Sequence, residues 1–455
     1  MLRSLFSKTS SPSQDTSSPA HEKPGFDGSN PSSITGDKYA DEAAIAASSG
    51  FGDADAENMP PRTSGFAKSV MNVVCVVIGS GCLQISYAFS KTGWVGVLFI
   101  ILSAAISMYT GHLSIKSLYH KPGHRLYSAS DTARAAYGRI GQFVMEFFSY
   151  LYTLGTACLY MILAGQFLKQ LVEDHTSIDK RVWIVILAVV MWVPVALFKF
   201  LTEATILALF GFLTSCVVIL VGTIQSLRFP EYPHFHDSAI GGGVPVALSS
   251  ILFSFAGSVI YPHVEASMKK PQRWPLVIMC AMTICGMAYL LIGCAGYWAY
   301  GRNVQSPLLD SIPHDNANKA TVGLVMIHVI MAGPILMFSF FVEIEKKYRI
   351  QASHMGKKKE LIVRVAYRTI TVAVVCAVAV ALPFFSSILS LIGALSCGMI
   401  LAVLPVVVYL KLYGWRSVPW YELIWMFVVV AIGLIACVWG SIDAIQSLIK
   451  DVNNQ

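Results

Sequence analysis

The sequence predicts an all-α polytopic membrane protein. It is expected to hold eleven transmembrane helices, as two inverted five-helix halves plus one. Three observations carry this reading. The chain is 55% hydrophobic and only 13% charged, against roughly a quarter charged residues in soluble domains. Its charge-free runs have membrane-crossing length, and Lys and Arg concentrate in alternate connections between them. The first run of each half is broken by small residues.

Residues 1–65 contain 17 Ser or Thr and few large apolar residues. Such a segment cannot bury enough apolar surface to offset its ordering entropy, so it is read as a disordered cytoplasmic tail. Met1 is not followed by the charged, apolar and small-residue regions of a cleaved signal, so none is expected.

The first span is the 22 residues Ser69–Ser90, free of Asp, Glu, Lys and Arg and roughly 33 Å long as a helix. Its middle, Gly79-Ser80-Gly81, is poor helix-forming sequence. Two readings are open. An interrupted membrane helix frees backbone amides and carbonyls that bind a polar solute. Alternatively, glycine marks a close helix–helix crossing.

Spans two to five are expected at Thr92–Ile115, Phe147–Leu168, Val182–Phe198 and Ala204–Leu227, with Lys199 and Glu203 in the turn before the fifth. The sixth is Val244–Val264, the seventh Trp274–Tyr300 and the eighth Ala320–Val342. Thr369–Leu410 has 42 residues without a charge, about twice what a bilayer needs. Pro383-Phe384-Phe385-Ser386-Ser387 is therefore read as the corner between spans nine and ten. The eleventh is Leu423–Ser441, within a transporter domain of residues 66–448, and 449–455 is a short non-cytoplasmic tail.

Orientation follows from Lys and Arg. With the N-terminus cytoplasmic, 25 of them fall on the cytoplasmic side and 8 on the other. The net charge of +7 is thus assigned to topology and not to nucleic acid; residues 1–65 hold 5 Lys/Arg against 9 Asp/Glu. All ten cysteines lie in apolar runs, which argues against a disulfide framework or a metal site. In this topology spans one and six run in opposite directions, as an inverted five-helix repeat requires. Span six is also interrupted, at Ser254-Phe255-Ala256-Gly257-Ser258 with Pro262 beyond.

Three stretches carry a family resemblance. Asn72–Trp94 resembles the first-helix signature of the amino acid/auxin permease family, whose relatives include vacuolar, vesicular and sodium-coupled neutral amino acid transporters. Phe253–Pro271, ending Ser-Met-Lys-Lys-Pro, resembles its sixth helix, and Gly296–Leu309 the end of its seventh. The resemblance implies a LeuT-like fold and secondary active transport of amino acids by alternating access. It also implies a vacuolar or lysosomal type of membrane, or the plasma membrane. Ile78, Gly79, Ser80 and Gly81 would then bind the amino acid zwitterion, with Ser254, Phe255, Gly257 and Ser258 as the facing wall. Ile85-Ser86 stand where many members have Leu-Pro. Cys75 stands where the sodium-coupled branch has an Asn ligand, and a thiol suits a hard cation poorly. Ser258 follows Gly257 where vacuolar and vesicular members have His.

The driving force is therefore expected to be a proton gradient, with sodium coupling second and no cofactor. His263, Glu265 and His328 are the candidate proton-coupling groups, His263 first because it is placed nearer the core. Glu265 also reads as a surface ion pair with Lys269 and Lys270. Tyr152, Tyr160 and Gln166 read equally as cavity lining or as packing with a capped polar tip. Lys357-Lys358-Lys359 reads as a topology determinant touching anionic lipid. The expected partners are the amino acid substrate and the lipid bilayer; no protein partner is indicated. An amino acid sensor on the same fold is the alternative. No nucleotide-binding or metalloprotease motif supports an enzyme or a primary pump.

Overall fold

The computed structural model describes residues 62–197, 204–231, 235–348, 350 and 356–453. Nearly all of the expected tail and the turn at Lys199 and Glu203 lie outside them.

The described residues are helical apart from short connections and two isolated bridges. The first span is two pieces, α1 (Phe66–Val77) and α2 (Ile85–Thr92), joined through a 3-10 turn at Ser80–Gln84. Gly93, at φ +72°, ends α2; a Cβ there would strike the Asp237 carbonyl. The chain then turns into α3 (Gly96–Leu118). Next come α4 (Ala129–Val172), α5 (Lys180–Leu197) and α6 (Ala204–Arg228). The sixth span is again divided, into α7 (Val244–Ser254) and α8 (Tyr261–Ala266). After these come α9 (Trp274–Tyr300), α10 (Asn316–Lys347) and α11 (Lys357–Ala381). The tenth span combines α12 (Phe385–Ile392), a π-helical stretch at Gly393–Val403 and α13 (Leu404–Tyr413). Last is α14 (Trp420–Asn453).

Among the described residues, nine continuous helical stretches are long and apolar enough to cross a membrane. Phe66–Val77 and Val244–Ser254 are too short to qualify, because each is the first half of an interrupted span. The element order accommodates the eleven expected spans once each interrupted pair is read as one crossing. Large apolar side chains such as Phe427 (75% exposed) and Leu98 (62%) stand on the outer surface, as lipid contact requires.

The corner overlaps the expected residues 383–387 but is shorter, Leu382–Phe384 between α11 and α12; Phe385, Ser386 and Ser387 already form the first turn of α12. Helix ends differ from the charge-free runs because real helices carry charge into their last turns. α4 begins at Ala129, where Ser128 and Asp131 form a capping box, and kinks at Gly138. α11 begins at Lys357 and holds Arg368 fully buried, facing Glu345 at 2.6 Å. α14 runs through most of the expected tail, to Asn453. Residues 62–65 are not wholly tail-like either. Ser64 is buried and bridges the segment after α8, its N–H donating to Ser267 at 2.8 Å and its carbonyl accepting from Lys269 at 2.9 Å.

Candidate functional site

The two interruptions meet. Ile78 and Gly79 leave the helical region, at φ −76°, ψ 92° and φ −132°, ψ −147°. A Cβ built on Gly81 would lie 2.6 Å from Ser254 Oγ and 2.8 Å from its Cα. One built on Gly257 would lie 3.0 Å from Val77 Cγ2. Small residues therefore let the two breaks touch, so the helix is interrupted and the two spans also cross closely at the same place.

An interrupted helix must find partners for its freed carbonyls. Here hydroxyls from four neighbouring helices supply them. Ser215 of α6 donates to Ile78 O at 3.1 Å, and Ser107 of α3 to Phe255 O at 3.3 Å. Tyr152 of α4 donates to Ala256 O at 3.2 Å. Tyr289 of α9, wholly buried, lies 2.8 Å from both Val77 O and Ser254 O, one carbonyl from each break. A phenol has one proton, so at any moment one of those two carbonyls goes without it. The amides of Ser80 and Gly81 open the 3-10 turn and have no partner within it.

The other predicted residues separate into groups. Phe255 is fully buried and packs edge-on against Tyr289, with centroids 5.1 Å apart. Ser258 faces Ile400 O of the π-helical stretch at 3.5 Å, away from α1. Tyr160 stands beside the first break, 3.6 Å from a Cβ built on Gly79. Gln166 lines no cavity at the break; it donates to Asp310 at 2.7 Å, in the connection between α9 and α10.

His328 lies beside Gly79, Ser80, Thr214 and Ser215 around a chamber of about 10 Å³, room for one water-sized occupant. A Cβ on Gly211 would collide with its ring. His263, expected nearer the core, is exposed, and its ring meets Tyr127 at 5.7 Å. Glu265 corrects another expectation. It is fully buried, and its partners are Arg125 at 2.7 Å and the Tyr119 hydroxyl, not Lys269 and Lys270. Arg125 also donates to Pro262 O at 2.7 Å. Charges this deeply buried are retained only when paired and hydrogen-bonded.

The break is thus closed at both ends. Towards the Lys/Arg-rich end stand Arg125–Glu265 and the Ser64 bridge. Towards the opposite end, buried Gln84 donates to Ser386 at 2.9 Å and accepts from Ser306.

The chain matches the profile of a family described as transmembrane amino acid transporter protein over residues 62–446. It is 24% identical over 406 residues to the amino acid transporter AVT1D of Arabidopsis thaliana, covering 87% of this chain and 72% of that one. It is 25% identical to AVT1I of the same plant, covering 86% and 96%. Among solved structures, an inward-facing conformation of Mhp1 superposes with a TM-score of 0.54 at 14% identity, covering 87% of this chain and 94% of that chain. A Na+-coupled sialic acid symporter superposes at 0.52 and 12%, covering 89% and 96%. The fold is that of the LeuT-like transporters, and the chain belongs to the transmembrane amino acid transporter family.

Proposed function

We propose that this member of the transmembrane amino acid transporter family moves amino acids across its membrane by alternating access, driven by protons. The observation that carries the reading is the junction of two helix breaks under a single hydroxyl. An amino acid zwitterion needs donors for its carboxylate and acceptors for its ammonium. The opening amides of Ser80 and Gly81 suit the first need. Val77 O and Ser254 O suit the second: they share one Tyr289 proton, and an ammonium brings three donors. Closure of the junction on both sides is what an occluded intermediate requires. Opening Gln84–Ser386 or Arg125–Glu265 in turn would expose it to one side at a time. This is transport without covalent chemistry, and it needs no cofactor.

For the proton, our reading takes His328 rather than His263. His328 touches the same chamber as Gly79 and Ser80, so its charge state acts directly on the break. No Asp, Glu, Lys or Arg lines that chamber; its other titratable neighbours are Cys82 and Tyr160, whose ring lies 6.3 Å from the imidazole. The test is uptake of a panel of labelled amino acids into proteoliposomes, with choline replacing sodium and a pH gradient imposed. Accumulation is expected, and His328→Gln should flatten its dependence on the gradient while His263→Gln leaves it intact. Loss of uptake in choline with no response to the pH gradient overturns the proton reading.

A further inference from the structure

The start of α4 lies against the end of α13, at the Lys/Arg-rich end of the bundle. Ala133 and Ala136 pack with Ile400, Leu404 and Val408, and the Tyr137 hydroxyl donates to Val407 O at 3.3 Å. Lys411, one turn beyond Val407, holds its ammonium over the Tyr137 ring at 5.9 Å. Arg134 is one turn before Tyr137, on the same helix face, and Arg139 follows the kink at Gly138. All three cations are exposed. Among the described residues, neither Arg134 nor Arg139 makes a hydrogen bond or ion pair, and Lys411 has only the Tyr137 ring. The carboxylates nearest in sequence on α4 are engaged elsewhere: Asp131 accepts from Ser128, and Glu146 from Gln142 and Lys347.

An apolar track leads away from these cations. Ile140, Phe143 and Phe147 are 78%, 66% and 50% exposed and share one face of α4, with Arg139 one turn before Phe143. Lys411 sets the depth, because it is the first charge after the 42 uncharged residues Thr369–Leu410. The cations therefore stand where hydrocarbon gives way to head groups, and the track runs inward from them. A free phosphate would use the cations and leave the track bare. A zwitterionic lipid would bring its own cation against three others. An anionic phospholipid uses both the charge and the track.

We propose that the seam between α4 and α13 binds an anionic phospholipid, its phosphate taken by Arg134, Arg139 and Lys411 and an acyl chain lying along Ile140, Phe143 and Phe147. The site adjoins the connection that closes the helix breaks at this end. Arg125, paired with Glu265, is three residues before Ser128, whose capping box starts α4. A head group held between α13 and both sides of the Gly138 kink steadies that connection, so the anionic lipid content of the membrane acts on the closure. The site itself does not depend on the transport reading.

The experiment is binding of tritiated phosphatidylserine to the immobilised full chain in micelles of an uncharged detergent. Saturable binding is expected, displaced by unlabelled phosphatidylserine but not by phosphatidylcholine or by millimolar inorganic phosphate. Arg139→Gln, which alters an exposed side chain without contacts, should weaken it about fivefold. The triple variant Arg134→Gln, Arg139→Gln, Lys411→Gln should weaken it at least about tenfold. Each variant is first shown to elute and melt as the wild type does without lipid. Phosphatidylserine should then raise the melting temperature of the wild type more than that of the triple variant. The comparison protein carries Lys357→Gln, Lys358→Gln and Lys359→Gln, which removes the same charge from another part of the Lys/Arg-rich end, and its binding should match the wild type. Equal loss in that protein would reduce the site to a diffuse basic belt and overturn the proposal. Displacement by inorganic phosphate would make it an ion site, and displacement by phosphatidylcholine a merely apolar surface; either overturns it, as does the absence of saturable binding.

Discussion

Gly79 and Gly81 look alike in the sequence but differ in what surrounds them. A Cβ on Gly79 meets only the Tyr160 hydroxyl, at an ordinary 3.6 Å, whereas one on Gly81 enters the backbone of Ser254. Forcing extra volume into a packed contact costs about 1–3 kcal/mol, which is about fivefold to over a hundredfold if it falls on the transport step. Gly81→Ala is therefore expected to cut uptake at least about fivefold at near-normal abundance, while Gly79→Ala transports like the wild type. Equal uptake by the two variants would leave the contact without a role. Tyr289 is the residue that sequence reading missed. It lies 212 positions from Val77, in an apolar helix with no local signal, and a tyrosine there reads as packing. Removing its hydroxyl strips both carbonyls of their donor, and an unsatisfied buried acceptor costs about 1–3 kcal/mol. Tyr289→Phe is expected to melt a few degrees lower and, with both carbonyls left free for the ammonium, to bind substrate more tightly; unchanged substrate affinity would confine the hydroxyl to a structural role.

At the scale of elements, the breaks were legible because glycine, serine and proline in a charge-free run have few explanations. The partners of the breaks were not, because Ser107, Tyr152, Ser215 and Tyr289 come from four other helices. Charged ends were misjudged for a related reason. A charge-free run marks the hydrocarbon-facing part of a helix, and it says nothing about a buried Arg368 or Glu265 that finds its partner across the fold. The connection between α9 and α10 illustrates a further pairing. Burial raises the Asp310 carboxyl from 3.8 to about 6, against the opposing hydrogen bond from Gln166 and the nearby charges of His314 and Lys180; Glu173 pushes the other way. The fold prefers the neutral acid. Its contribution to stability is full below 3.8 and is lost as pH rises through about 6. Melting temperature measured across that window should fall with rising pH more steeply for the wild type than for Asp310→Asn. Parallel curves would remove Asp310 from the pH response.

For the whole molecule, the fold was readable because a bilayer leaves few choices. Each crossing must satisfy its own backbone, which demands helices, and Lys and Arg settle on one side. The structure adds a physical asymmetry between the two ends. The Lys/Arg-rich end is fastened by a buried ion pair and a backbone bridge, Arg125–Glu265 and Ser64–Met268. The opposite end is fastened by uncharged hydrogen bonds around Gln84. On the transport reading proposed above, the two ends would need different conditions to open. That asymmetry has a direction only if the topology is right. With 25 Lys and Arg on one side and 8 on the other, we propose that the side holding Arg125 and Ser64 faces the cytoplasm. A reporter fused before Met1 should then read as cytoplasmic and one fused after Gln455 as outside or luminal. An odd number of crossings is the only arrangement that separates them. Both reporters on one side would require an even number and would rule out eleven spans.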